Sequence, residues 1–177
     1  KLLEMAGARE AMAIQVGGAS GQCLSETGFG RKFCYSDLAT GGSIIIFNKT
    51  RDVFYIIRNF LDFFIEESCG WCTPCRAGNV FLKKKLEKIV SGLGTASDLA
   101  EIETWGKLIK ATSRCGLGQT SPNPVLTTLA NFRGLYDKQI NKETDFMSEF
   151  DLRRAVEEAC LITDREFEEE GSACLIK

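Results

Sequence analysis

Histidine is absent from this 177-residue chain, and several chemistries go with it. Mixed Cys/His zinc sites, haem ligation by imidazole, Rieske centres and serine or cysteine nucleophiles activated by imidazole are all excluded. An excess of charge of one sign is also lacking. The net charge is −2 and the pI about 5.4, so there is no broad positive field and nucleic acid is not an expected partner. The basic run Lys83-Lys84-Lys85 reads as a solvated helix face. No stretch of eighteen apolar residues occurs, which argues against a membrane-spanning helix, and no apolar signal segment precedes the first patterned residues.

What the chain has in abundance is cysteine, eight residues in all. Without a secretory signal the expected compartment is the reducing cytoplasm, where dense cysteine indicates metal binding or catalysis rather than a disulfide framework. A hydrophobic content of 44% suits one core, or one domain with part of another. The opening Lys1-Leu2-Leu3-Glu4, with no initiator methionine, suggests a fragment or a processed chain.

The chemistry concentrates at Glu67-Ser68-Cys69-Gly70-Trp71-Cys72-Thr73-Pro74-Cys75-Arg76. Three thiols two residues apart form the Cys-x2-Cys-x2-Cys run of [4Fe-4S] proteins, in which each short interval points successive sulfurs at different irons. Thirty-nine residues separate Cys75 from Cys115. Two helices of about 15 residues, each roughly 23 Å long, fill that interval, and only an antiparallel pair brings Cys115 back beside the triple. The centre then sits at the N-terminal end of a helix, where unpaired N–H groups favour an anionic assembly. Gly70, Gly116 and Gly118 offer backbone amides to sulfur, and Arg76 and Arg114 are candidates for tuning the potential.

Zinc is the rival for the same thiols, although its usual all-cysteine site pairs two Cys-x2-Cys knuckles. Two functions therefore stand side by side, an electron relay and a zinc-stabilised docking module. A thiol–disulfide oxidoreductase using Cys69 and Cys72 fits less well, given the surplus Cys75 and the missing βαβ pattern. Cys23, Cys34, Cys160 and Cys174 have no neighbours at ligand spacing and read as small buried or incidental residues.

In chain order, residues 1 to about 12 read as the end of a helix. Strands are expected at Met12–Val16, Arg31–Tyr35 and Gly42–Asn48, the last as a continuous core run. The Gly17, Gly18, Gly21 run reads as a turn needing positive φ. A first long helix starts after Thr50 and is apolar almost all round. A second begins in the cysteine loop, near Pro74 or Arg76, and ends at Ser91-Gly92, with Val80, Leu82, Leu86, Ile89 and Val90 inward. A third is capped by Ser97 and turns Leu99, Ile102, Trp105, Leu108 and Ile109 inward. A fourth starts at Asn123-Pro124 and carries Val125, Leu129, Phe132, Tyr136 and Ile140 on one side. A polar stretch from Asn141 to Ser148, an amphipathic piece capped by Asp151 and the acidic run Glu166 to Glu170 follow.

Glu67 to Gly78 and Ser113-Arg114-Cys115-Gly116-Leu117-Gly118-Gln119-Thr120-Ser121-Pro122-Asn123-Pro124, with Val16 to Gly21 and Thr40-Gly41-Gly42-Ser43, resemble a known family. It is the C-terminal part of the NADH- and FMN-binding flavoprotein subunit of respiratory complex I and soluble NAD-linked enzymes. The likeness is strongest to the diaphorase subunit of NAD-reducing hydrogenases, with NAD-dependent formate dehydrogenase or a complex I subunit as alternatives. The resemblance covers most of residues 12 to 140. It implies a mainly α fold, with residues 1–48 the rear part of a ubiquitin-like β-grasp domain, 49–145 a four-helix [4Fe-4S] domain and 146–177 a short helix and tail. It further implies that Cys69, Cys72, Cys75 and Cys115 ligate the cluster and that Gly116 and Leu117 face a flavin. The implied partners are an upstream flavin- and NAD-binding domain, and [2Fe-2S] and other iron–sulfur subunits. Nothing in residues 1 to 177 corresponds to the family's glycine-rich flavin and nucleotide segments, so FMN and NAD(H) belong to the complete subunit.

Overall fold

A computed structural model describes residues 1–140 and 162–163. Among them the chain is mainly helical with one small antiparallel sheet. The elements are α1 Leu2–Met5, β1 Ala11–Val16, β2 Gln22–Ser25, a 3-10 turn Glu26–Gly28, β3 Ile44–Asn48, α2 Val53–Glu66, α3 Thr73–Val90, α4 Ala96–Thr112, α5 Gly116–Thr120, α6 Asn123–Asn131 and α7 Arg133–Gln139. No described helix is long and apolar enough to cross a membrane. The polar stretch at 141–148, the piece beginning at Asp151, the acidic run, Cys160 and Cys174 lie outside the described residues.

The sheet runs β2-β1-β3, antiparallel throughout. β1 is central, and Ala13 to Val16 are all buried. The opening helix stops at Met5 rather than continuing toward residue 12, since Gly7 and Glu10 turn the chain through positive φ. The second strand is Gln22–Ser25, not 31–35. Residues 31–37 are instead tied into a loop: Arg31 Nε donates to Asp37 Oδ1 at 2.8 Å and the Lys32 amide to Asp37 Oδ2 at 2.9 Å. β3 forms as expected but as an edge, with Ile45 exposed and Ile44 and Ile46 half-buried. Gly17 and Gly18 do adopt positive φ, +86° and +66°.

The free edge of β2 is covered by α6. The Cys23 amide donates to Thr127 Oγ1 at 3.0 Å, and Asn131 Nδ2 donates to the Cys23 carbonyl at 2.7 Å. Covering an edge in this way satisfies backbone groups that would otherwise invite a second chain.

α2 starts where the Asp52 carboxylate accepts the Phe54 amide at 2.8 Å, and buries Phe54, Ile57, Leu61 and Phe64 at helical spacing. Its apolar girdle is wider than its buried face, for Phe63 is exposed. In α3 the core positions are Leu82, Leu86 and Ile89, while Val80 and Val90 fall on the flank and stay exposed. α4 is capped by Thr95 rather than Ser97, through a capping box with Asp98. Leu99, Ile102 and Ile109 enter the core, but Trp105 and Leu108 line an open apolar groove beside Phe81. The fourth expected helix is two, because Phe132 leaves the helical region at φ −126°, ψ 31° and α7 restarts from it. Tyr136 is nevertheless buried against Phe54, its hydroxyl 2.9 Å from Thr128 Oγ1.

α3 and α4 form a tight hairpin. A Cβ on Gly78 would fall 2.6 Å from the Ile109 side chain, so glycine lets the start of α3 approach the end of α4. The far end is held by charge: the buried Asp98 carboxylate pairs with Lys85 at 2.5 Å and Lys88 at 2.7 Å and accepts the Thr95 amide at 2.9 Å. Burial alone would raise the Asp98 pKa, but these donors outweigh it and hold the carboxyl well below the usual range. A depressed folded pKa means the contribution is complete above the unfolded value of about 3.9 and is lost as pH falls from there through the folded one. Asp98→Asn is expected to cost about 2 kcal/mol at pH 7, and the difference from the parent shrinks below pH about 4. Urea denaturation across a pH series measures both.

Candidate metal centre

The hairpin returns the chain to the triple-thiol loop. α2 ends at Glu66, and residues 67–71 cross to α3, where Cys72 occupies the N-cap and Cys75 the first turn. α4 ends at Thr112, and Ser113 (ψ 142°) turns the backbone out of the helix so that Cys115 becomes the N-cap of α5. The outcome is one cavity of about 160 Å³ lined by Glu67, Ser68, Cys69, Trp71, Cys72, Cys75, Cys115 and Leu117. All four thiols singled out by spacing border it. Gly116 opens α5 but is exposed and does not line the cavity, whereas Leu117 does.

The four sulfurs have different surroundings. Cys69 and Cys115 are exposed, Cys72 is half-buried and Cys75 is buried. The Arg114 amide and then the Cys75 amide donate to the Cys72 sulfur and hold its pKa below that of an ordinary thiol, aided by the Arg114 charge. A thiolate at the start of an eighteen-residue helix also gains from the unpaired N–H groups and the positive dipole end. Cys75 has side-chain neighbours instead, Ser68 Oγ at 3.3 Å and Asn79 Nδ2 at 3.6 Å.

Some expected contacts go elsewhere. The Gly70 amide donates to Ser68 Oγ at 3.3 Å rather than to sulfur, with Gly70 at φ +74° making the turn. Arg76 braces that turn by donating from Nη1 to the Gly70 carbonyl at 2.9 Å. Gly118 serves close packing, since a Cβ there would lie 2.7 Å from Ser113 Cβ and 3.1 Å from Cys75 Cβ. Ser68 and Asn79 are absent from the ligand pattern that the sequence displays. The one signal for Asn79 is its position four residues after Cys75, which puts both on one helix face. Cys23 is buried away from this site, its thiol pushed up to about 12 by desolvation, and Cys34 is exposed in the 31–37 loop.

The donor set is thiolate alone, which suits iron–sulfur and zinc chemistry. Among the described residues no three His, Cys, Asp or Glu side chains converge as a single ion requires. One zinc would draw four sulfurs to within about 2.3 Å of a common point, whereas a cube takes each sulfur on a different iron and leaves them spread around a cavity. Four thiols bordering one cavity supply one donor for each iron of a cube, or all four donors for a single zinc.

The chain matches the family model of the NADH-ubiquinone oxidoreductase-F iron-sulfur binding region over residues 55–139. It is 47% identical over 158 residues to the NAD-reducing hydrogenase HoxS subunit alpha of Cupriavidus necator, covering 88% of this chain and 26% of that protein. Against an NADH-quinone oxidoreductase subunit of Mycobacterium bovis it is 31% identical over 126 residues, 68% of this chain and 28% of that one. The crystal structure of an NAD+-reducing [NiFe]-hydrogenase in the H2-reduced state superposes with a TM-score of 0.73 at 32% identity, over 90% of this chain and 28% of that chain. The chain thus spans little more than a quarter of the length of these relatives.

Proposed function

Because the chain belongs to the family of NADH- and FMN-binding flavoprotein subunits that complex I shares with soluble NAD-linked enzymes, we propose that it relays electrons through one [4Fe-4S] cluster held by Cys69, Cys72, Cys75 and Cys115. The single observation that carries this reading is the return of Cys115 to the cavity lined by the other three thiols. When bound, the cluster supplies a one-electron carrier.

The chain's own residues do the rest. Cys72 and Cys75 present sulfur at the start of α3, where backbone amides and the dipole stabilise negative charge. Arg76 fixes the loop, and the Arg114 amide favours the Cys72 thiolate. Leu117 and Trp71 border the cavity with apolar surface, which strengthens electrostatic contacts inside it. Leu117, with Gly116 beside it, is the side we assign to the flavin.

The electrons come from an FMN and NAD(H) site in the complete subunit and pass to [2Fe-2S] and other iron–sulfur subunits of a cytoplasmic, hydrogenase-type assembly. The higher identity to the hydrogenase subunit than to the quinone-linked one supports that choice. In domain terms, residues 1–48 are the rear of a β-grasp unit, a reading supported by the antiparallel order β2-β1-β3. Residues 49–145 are the four-helix cluster domain, with α2, α3, α4 and the broken α6–α7 as its helices, and residues 146–177 form the third segment of that division.

Metal analysis of the intact subunit, purified without oxygen, tests the reading. About four irons per chain, a brown colour and broad absorption at about 400 nm are expected. One colourless zinc per chain would replace the relay with a docking module.

A further inference from the structure

We propose that Ser68 and Asn79 set the reduction potential of the centre by donating hydrogen bonds to Cys75 Sγ. The inference rests on Cys75 being a cluster ligand. Of the four thiols Cys75 is the buried one, 5% exposed. A hydrogen bond to its sulfur therefore acts in a low-dielectric setting where it is electrostatically strongest.

The direction of each bond follows from the chemistry. A ligating sulfur carries no proton, so both neighbours must donate. Ser68 Oγ already accepts the Gly70 amide, which leaves its O–H free to point at Cys75 Sγ 3.3 Å away. Asn79 is fully buried, with Nδ2 3.6 Å from the same sulfur and Oδ1 without a hydrogen-bond partner. An unpaired buried amide oxygen is costly. A leucine of similar size would fill this place without that penalty, so the N–H facing sulfur is the feature that accounts for asparagine here.

Reducing a cluster held here would place part of the added negative charge on Cys75 Sγ, the electron coming from the donor centre and leaving for the acceptor. No bond is made or broken and no other reactant is consumed. Both hydrogen bonds are stronger to the more negative sulfur, so they stabilise the reduced state and raise the potential. Ser68 and Asn79 are positioning residues: they act through Cys75 and not on a substrate.

The test is an EPR-monitored redox titration of the intact subunit, with iron counted in each sample. Ser68→Ala and Asn79→Leu are each expected to keep the cluster and move its midpoint to more negative values, the double variant further than either. Ser68→Thr, which retains the hydroxyl, should titrate like the parent. So should Thr104→Ala, on the exposed face of α4. Iron-replete variants with the parent's midpoint would overturn the proposal. Should Asn79→Leu lose iron, Ser68→Ala against Ser68→Thr decides the matter: a negative shift in the first alone supports it, and equal midpoints refute it. A parent subunit without iron would overturn the cluster reading itself.

Discussion

Cys115→Ser is expected to strip the subunit of most of its iron, as completely as Cys72→Ser, although thirty-nine residues separate Cys115 from Cys75 in the chain. Both residues are helix N-caps bordering one cavity. On the proposed ligand set, removing either thiolate leaves one iron of the cube without its protein ligand, and serine is a poor replacement for a soft thiolate. Cys23→Ser is the contrast. That thiol is buried at the sheet edge under α6, its pKa is pushed up to about 12, and it lies outside the cavity. The variant should keep its full iron content while losing some stability, because a buried hydroxyl must find a partner. Iron per chain and absorbance at about 400 nm separate the three variants. Full iron in Cys115→Ser, with iron lost from Cys23→Ser, would overturn the ligand assignment.

The second large effect is expected from a single methyl group. Gly118→Ala places a Cβ 2.7 Å from Ser113 Cβ and Oγ and 3.1 Å from Cys75 Cβ. Two of those atoms are bonded directly to backbone and cannot swing away, so the segment carrying Cys115 must move off α3. Overpacking of this kind costs about 1–3 kcal/mol, and the same displacement pulls Cys115 away from the other three thiols. Lower thermal stability and reduced iron occupancy should therefore appear together. Gly116→Ala, two residues earlier, has nothing within 4 Å of its added carbon and should match the parent in both measurements. A Gly118→Ala protein that melts with the parent and holds full iron would show that the contact between α5 and Cys75 does not position the centre.

Particular residues show where the sequence is informative and where it stops. Helix existence is legible at α2, α3 and α4, since apolar residues at helical spacing declare a buried face whatever packs against it. The width of that face is not. Val80, Val90, Trp105 and Leu108 are as apolar as their buried neighbours, yet among the described residues they stay exposed. The second strand is misplaced from sequence because 31–35 has strand-like composition, while the loop ties from Arg31 and Lys32 to Asp37 are invisible until the fold brings them together. The break falls at Phe132, two residues before Gly134, within a run whose apolar residues keep helical spacing, so that spacing by itself reads as one helix.

The triple thiol, the absence of histidine and the lack of an apolar span follow from the order of residues alone, because ligand type and spacing are local properties. Family membership is readable in the same short motifs. The meeting of Cys115 with the triple depends on two helix lengths and a turn, and so on how α3 and α4 pack. The choice of Ser68 and Asn79 as neighbours of the buried thiol among the four is likewise made by the tertiary structure. Burial is a property of the whole fold, and it determines which sulfur is shielded from water and which side chains reach it.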